Sequence, residues 1–333
     1  DISNITDFYL CFAGSDNFNG DIGNSTTASA TKLQGMVSNC GNFNCGDTPA
    51  TGPANPGTAM SNFVIGPNVT TMNQMFFNAR KFNQNLTRVA GGAWDFPSGM
   101  TSMSSMFSGA TNFNGDISNW NTGNVTNMSS MFSQADNMAT DLRNWDVSNV
   151  TNMGSMFRNR KNGTDIGLGS WTTSSLVTLT NFNRDAGASS QFNPDVSGWD
   201  VSNVTSTFGM FFLNGGFNRD CSGWNTASLI NASGTFRGTA INFSFANWDL
   251  SNVTNISLLY TGSTMTAANV SASLIGWDVA ATATGVNATT CFGGISMSQT
   301  TYAAAKAAYD NLIDSVANGG KGWDMTGAIN WTA

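Results

Sequence analysis

Between Phe113 and Ala135 the apolar positions are Phe113, Ile117, Trp120, Val125, Met128, Met131, Phe132 and Ala135, spaced 4, 3, 5, 3, 3, 1 and 3 residues apart. That is neither the sustained 3.6-residue period of an amphipathic helix nor the strict alternation of a half-buried strand. The pattern repeats at once and in register: FNGDISNWNTGNVTNMSSMFSQADN is followed by MATDLRNWDVSNVTNMGSMFRNRKN. Self-similarity at 25 residues predicts a repeat array, in which each copy turns several corners around a narrow core and the next copy closes its open face. Within a copy, D-I-S-x-W predicts a short strand and S-N or T-G a turn. The i, i+3 spacing of N-M-S-S-M-F predicts a short helical or 3₁₀ turn. Stacked copies would set these short strands parallel and place like side chains over like.

Tryptophan marks the register most clearly, at Trp94, Trp120, Trp145, Trp171, Trp199, Trp224, Trp248 and Trp277. With that column laid over the chain, residues 1–297 read as a solenoid of about 11 coils. The first is under way at Ile5, since residues 5–12 overlay 125–132. A Gly- and Pro-rich insertion over 45–67 reads as a protruding loop, and the coil near 265–295 as degraded. Residues 298–333 read as a cap. Tyr302 to Val316 is Ala-rich with one apolar face and Ser298 or Thr300 as N-cap, and a final strand or hairpin follows Gly322. Ile5, Phe8 and Tyr9 at one edge and Trp331 at the other read either as ordinary cap packing or as the faces of a head-to-tail joint, and the want of a comparable cap ahead of Ile5 favours the joint.

Composition narrows the function. Charged residues make up 10% of the 333, against about a quarter in an average soluble domain. The chain has no His, so neutral-pH proton transfer would fall to carboxylates or a shifted Cys or Lys, and an enzyme is not expected. The net charge of -7, with 13 Lys and Arg that form no basic run, argues against a nucleic-acid partner. No apolar window is long enough to span a membrane, and Asp1 opens neither a charged n-region nor an apolar h-region. That predicts an extracellular or cell-surface chain whose targeting segment is absent. The sequons at Asn68, Asn85, Asn124, Asn149, Asn203 and Asn252 agree, although S-N-V-T is also simply part of the repeat.

Three columns could carry chemistry. An Asp recurs ahead of each candidate strand, including Asp116, Asp141, Asp195 and Asp220, and reads as a turn cap with a calcium ladder as the rarer alternative. The Thr of V-T reads as a structural hydroxyl ladder. Of five Cys, Cys11, Cys40, Cys221 and Cys291 occupy core slots; Cys45 lies outside them, five residues after Cys40, so a local disulfide between Cys40 and Cys45 is expected, with Cys11 the rival partner. No other cofactor is expected.

Residues 144–157 (NWDVSNVTNMGSMF) and 198–211 (GWDVSNVTSTFGMF) closely resemble the repeat of the BspA-like surface proteins, W-D-V-S-N-V-T-N-M-S-x-M-F, common in bacterial surface lipoproteins. Leu274-Ile275-Gly276-Trp277, Tyr302, Leu312-Ile313 and Gly322-Trp323 are similar to the closing segment of the same proteins. The resemblance implies a right-handed solenoid of leucine-rich-repeat type on a cell surface, credited with adhesion or host contact, and offers no catalytic residues to carry over. The expected role is a structural or adhesive surface protein that assembles head to tail. The alternative is a monomeric module that reads a host or matrix protein or a glycan along one lateral face.

Overall fold

The protein was described as a computed structural model, which places residues 2–47 and 56–333. The chain forms two compact units, Asp1–Thr173 and Ser174–Ala333. The division falls inside the repeats.

In the first unit the local rule is clearest from Met128 to Ala135. The N–H groups of Met128, Ser130, Phe132 and Gln134 donate to the carbonyls of Asn152, Gly154, Met156 and Arg158 in the following repeat, at 2.8–3.0 Å. Those of Met131, Ser133 and Ala135 close tight turns on Met128, Ser130 and Phe132, at 3.1–3.3 Å. Alternate amides therefore serve the neighbour and the residue's own turn. The backbone achieves this by switching to positive φ at Ser130 (55°) and Gln134 (60°). The expected helical or 3₁₀ turn is thus replaced, because a helix would aim every N–H along its own axis and leave none for the next repeat.

Among the described residues the expected strands are also not formed in the repeats. At D-I-S-x-W the Trp120 N–H closes a turn on Ile117 O (3.3 Å) and Asp116 caps Ser118 N. What remains of parallel pairing in the repeats is a series of single bridged residues, with a second bridge from Gly187 to Asn214. These bridges run Thr71, Ser102, Asn127, Asn152 in the first unit and Thr178, Ser206, Asn231, Asn255, Asn287, Asp324 in the second.

All eight apolar residues that define the repeat are buried. Trp120 stacks on Trp94 (centroids 5.9 Å, planes 13° apart) and on Trp145 (5.8 Å, 9°), and Phe132 on Phe107 and Phe157. In the second unit Trp224 stacks on Trp248 at 6.1 Å. Each buried indole also needs a partner for its N–H. It finds one in the preceding repeat: Trp94 donates to Met60 O, Trp120 to Leu86 O, Trp145 to Ile117 O, Trp224 to Val196 O and Trp248 to Cys221 O, at 2.6–3.0 Å. Tryptophan recurs because one side chain supplies both a stacking face and an inter-repeat hydrogen bond.

The insertion is not simply a protruding loop. Residues 48–55 lie outside the described residues, but Met60, Phe63 and Ile65 are buried, and Met60 supplies the carbonyl that Trp94 needs. Gly57 bridges Gln84 and Val64 bridges Thr26, so this segment takes part in the stacking.

The end of the second unit departs further from expectation. Where a degraded coil was expected lies helix α1, Ala267–Ala280, with Thr266 Oγ1 accepting from Asn269 N at its start. Trp277 sits inside α1 and still donates its indole N–H to a repeat carbonyl, Phe245 O. Gly276 is required in the helix interior because a Cβ there would lie 2.6 Å from Ala246 Cα, Cβ and O. Helix α2 spans Ala303–Ile313, shorter than the expected Tyr302 to Val316; Ser298 Oγ accepts from Thr301 N just before it, and Ala305, Ala308 and Leu312 are buried. Strands β1 (Ile295–Ser298) and β2 (Ile329–Thr332) pair in parallel, which excludes a hairpin. The bridges through Asn287 and Asp324 and the bond from Trp323 Nε1 to Ala283 O (3.0 Å) carry the repeat register through this region. The two helices are insertions into repeats.

Candidate interaction surface

The recurring polar groups are largely committed to the stacking. Asp116 Oδ1 accepts from Ser118 N (2.9 Å) and Oγ (2.7 Å); Asp195 does the same with Ser197, whose hydroxyl and then amide hold the carboxyl below the usual range. Asp141 accepts from Arg143 N and pairs with its Nε at 2.6 Å, and Asp220 accepts from Ser222 N. A second column, missed in the sequence, repeats the device after Trp at Asp146, Asp200, Asp249 and Asp324. The signal was W-D-x-S or W-D-x-T, an acid two residues before a hydroxyl. Among the described residues no three acidic or Cys side chains converge on a common point.

The sequon asparagines have a structural task of their own. Asn149, Asn203 and Asn252 are exposed, and their Nδ2 groups donate back to Gly123 O, Ser174 O and Ala227 O. Asn68 and Asn124 are also exposed, whereas Asn85 is half-buried and accepts from Asp116 N. The Thr hydroxyls likewise reach back one repeat, Thr151 to Thr126 O and Thr126 to Thr101 O.

Two expectations are corrected. Cys40 and Cys45 form no disulfide: both are free thiols. Cys40 Sγ donates to Phe12 O at 2.9 Å, and Cys45, expected outside the core, is buried with its Sγ toward Asp21 Oδ1 (3.6 Å) and its pKa pushed up to about 12 by that burial. Cys11 is free and exposed. Phe8 is not an edge residue, being 1% exposed because it fills a core slot and its N–H is paired to Lys32 O. Ile5 and Tyr9 (54%) are exposed, while Trp331 is half-buried against Tyr309.

The structure brings together a set of residues that the sequence did not flag. The slot that Ser133 fills holds Arg184, Phe212 and Arg237 in successive repeats of the second unit. Their side chains form a ladder, with the Arg184 guanidinium 4.5 Å and the Arg237 guanidinium 4.9 Å from the Phe212 ring centroid. Arg184 also lies 5.8 Å from Phe208, itself 37% exposed, and Leu213 beside them is 43% exposed. Stacking on an aromatic face accounts for the position of each guanidinium. Arg184 has an acidic neighbour, Asp185, at 3.4 Å; Arg237 has no acidic partner among the described residues. Two further apolar residues, Val177 and Ile230, occupy the exposed Thr slot of this unit. Off-consensus residues compared slot by slot would have revealed the patch.

A chain whose two units are each built of stacked copies, bound to one another by side chains of a fixed template, is a tandem-repeat protein. Residues 1–49, 58–166, 89–189 and 160–273 match a family described as "Mycoplasma protein of unknown function, DUF285", the family of the BspA-like repeat proteins, and the chain belongs to it. No curated protein and no solved structure matches it. No helix among the described residues is long and apolar enough to cross a membrane.

Proposed function

We infer that this chain is a right-handed solenoid of leucine-rich-repeat type, and that it serves at a cell surface or outside the cell as a structural and adhesive protein. It acts by contact, with no reaction and no resident cofactor of its own. The observation that carries this reading is the use of the repeated polar groups: Asp caps its own turn, and Trp, Thr and the sequon Asn reach back to the preceding repeat. A template spent on stacking builds an exterior, and individual substitutions in it make contact surfaces. Antibody to the purified protein should label intact, unpermeabilised cells that express it, and added protein should compete with their adhesion. Labelling only after permeabilisation would rule the reading out.

The second reading, a lateral face that recognises a foreign protein or glycan, is favoured by the exposed Val177 and Ile230. A glycan array or matrix-protein panel, repeated with Val177→Thr and Ile230→Thr, tests it.

A further inference from the structure

The second unit carries two exposed patches of opposite character. One is the ladder of Arg184, Phe212 and Arg237 with Phe208 and Leu213. The other lies at the end of α2, where Ile313 and Val316 are exposed next to Asp310 and Asp314, around an open depression of about 470 Å³ lined by Asp310, Asn311, Ile313 and Asp314. Their charges are unmatched in a complementary way. Asp310 is tied to Lys306 at 2.5 Å, but Asp314, which caps Ser315 N and accepts from Asn318 Nδ2, has no cationic partner among the described residues. Arg237 has no acidic one. Each patch therefore offers exposed apolar surface beside one uncompensated charge, and the signs are opposite.

We propose that the α2 end of one copy docks on the Arg184–Phe212–Arg237 ladder of a second copy, with Asp314 against Arg237 and Ile313 and Val316 against Phe208 and Leu213. This rests on the reading that the chain works by contact. The occupant is a second copy because the acidic, apolar counterpart that the ladder calls for is present on the same chain. Two different patches of one chain make a heterologous joint, which does not close on a dimer and grows into rings or open chains. Aromatic rings and Arg are the residue types that anchor such interfaces, and the joint would give Asp314 and Arg237 each the opposite charge that it lacks, offsetting the cost of taking both out of water.

Light scattering after size exclusion on the full chain tests this, with circular dichroism to show that each variant folds. The wild type should gain mass with concentration and lose that gain as salt rises from about 0.1 M to about 1 M, where the screening length falls from about 10 Å to about 3 Å. Arg237→Glu alone and Asp314→Arg alone should each stay monomeric, and an equimolar mixture of the two should recover the growth. Because Asp314 also caps a turn, Ile313→Glu and Leu213→Asn provide a second pair of variants; Asn tolerates the positive φ of 58° at Leu213. Full assembly by either charge variant, or a folded mixture that stays monomeric, would overturn the joint. A wild type that stays monomeric but binds a polyglutamate peptide through Arg237 would make the occupant a foreign acidic protein and also overturn it. Surface labelling is a separate readout, so a failed joint and a failed surface role are distinguishable.

Discussion

Trp120 concentrates what holds one repeat to the next. Its ring stacks between Trp94 and Trp145, and its Nε1 donates to Leu86 O at 2.6 Å. Trp120→Ala should cost about 3–5 kcal/mol through lost burial and the remaining cavity. Trp120→Phe keeps most of the stacking but leaves a buried carbonyl unpaired, and should cost about 1–3 kcal/mol. Urea unfolding checks both, as a lower midpoint at unchanged slope. An equal cost for the two variants would mean that the hydrogen bond, and not the stack, dominates. A second residue-scale prediction concerns the left-handed position of the turn. It is held by side-chain-bearing residues such as Ser105, Ser130 and Ser155 in the first unit and Asn181 and Leu258 in the second, and by glycine at Gly35, Gly209 and Gly234. Gly234→Ala should cost about 1–2 kcal/mol, the steric cost of an L side chain at φ 63°. Its new Cβ would also lie 3.2 Å from Phe212 Cδ2. Which residues face the core was legible in the sequence, because Trp120, Met128 and Phe132 recur at one spacing. The left-handed turns were not, because Ser130 and Gln134 bear no local mark of positive φ.

Among the repeat's elements, the Asx-type turn carries its own pH signature. Asp146, Asp200 and Asp249 each have their pKa lowered, first by the hydroxyl of the Ser two residues on and then by its amide. A carboxyl whose pKa is lower folded than unfolded stabilises the fold above the unfolded value of about 3.9, and that contribution is lost as pH falls through the folded value. Asp136 works in the opposite sense, since burial raises its pKa. The urea midpoint should therefore be flat from about pH 5 to 8, where a chain without His has no side chain of ordinary pKa to titrate, and should fall below about pH 4. Asp146→Asn should flatten the acid limb while keeping the turn, as Asn225 caps Ala227 N in the same column. The same geometry bears on calcium. Asp116, Asp141, Asp195 and Asp220 are each occupied within their own turn, so neither calcium nor a chelator should move the melting temperature; a rise with calcium that is reversed by chelator would reinstate the ladder. Elements built on insertions were the hardest to read. Helix α1 was hidden because Trp277 kept its place in the column, so the segment scored as a worn repeat when it is a helix delivering the same indole. The Arg184, Phe212 and Arg237 ladder was hidden for the converse reason, since none of the three fits the template and only the shared slot brings them together.

At the scale of the molecule, the repeats inside each unit are bonded to their neighbours largely through equivalent atoms, which makes the stability of a unit close to a sum of repeat and interface contributions. Within the first unit, removing residues 113–137 would join Asn112 to Met138 and leave every remaining side chain in its own slot, since Met138 occupies the position of Phe113 and is equally buried. Trp94 would then face Trp145, and the amides of Met103, Ser105 and Phe107, which now donate to Asn127, Ser129 and Met131, would meet the equivalent carbonyls of Asn152, Gly154 and Met156. This shortened chain should fold with the aromatic near-ultraviolet signal of stacked indoles and unfold at a lower midpoint, having lost one repeat and one interface. Removing residues 113–124 instead shifts the register by half a repeat, sets polar residues against the Trp and Met columns, and should abolish cooperative unfolding. If the two deletions behaved alike, the columns would not be what holds the unit together, and the reading of the surface as the exterior of a stacked array would lose its basis.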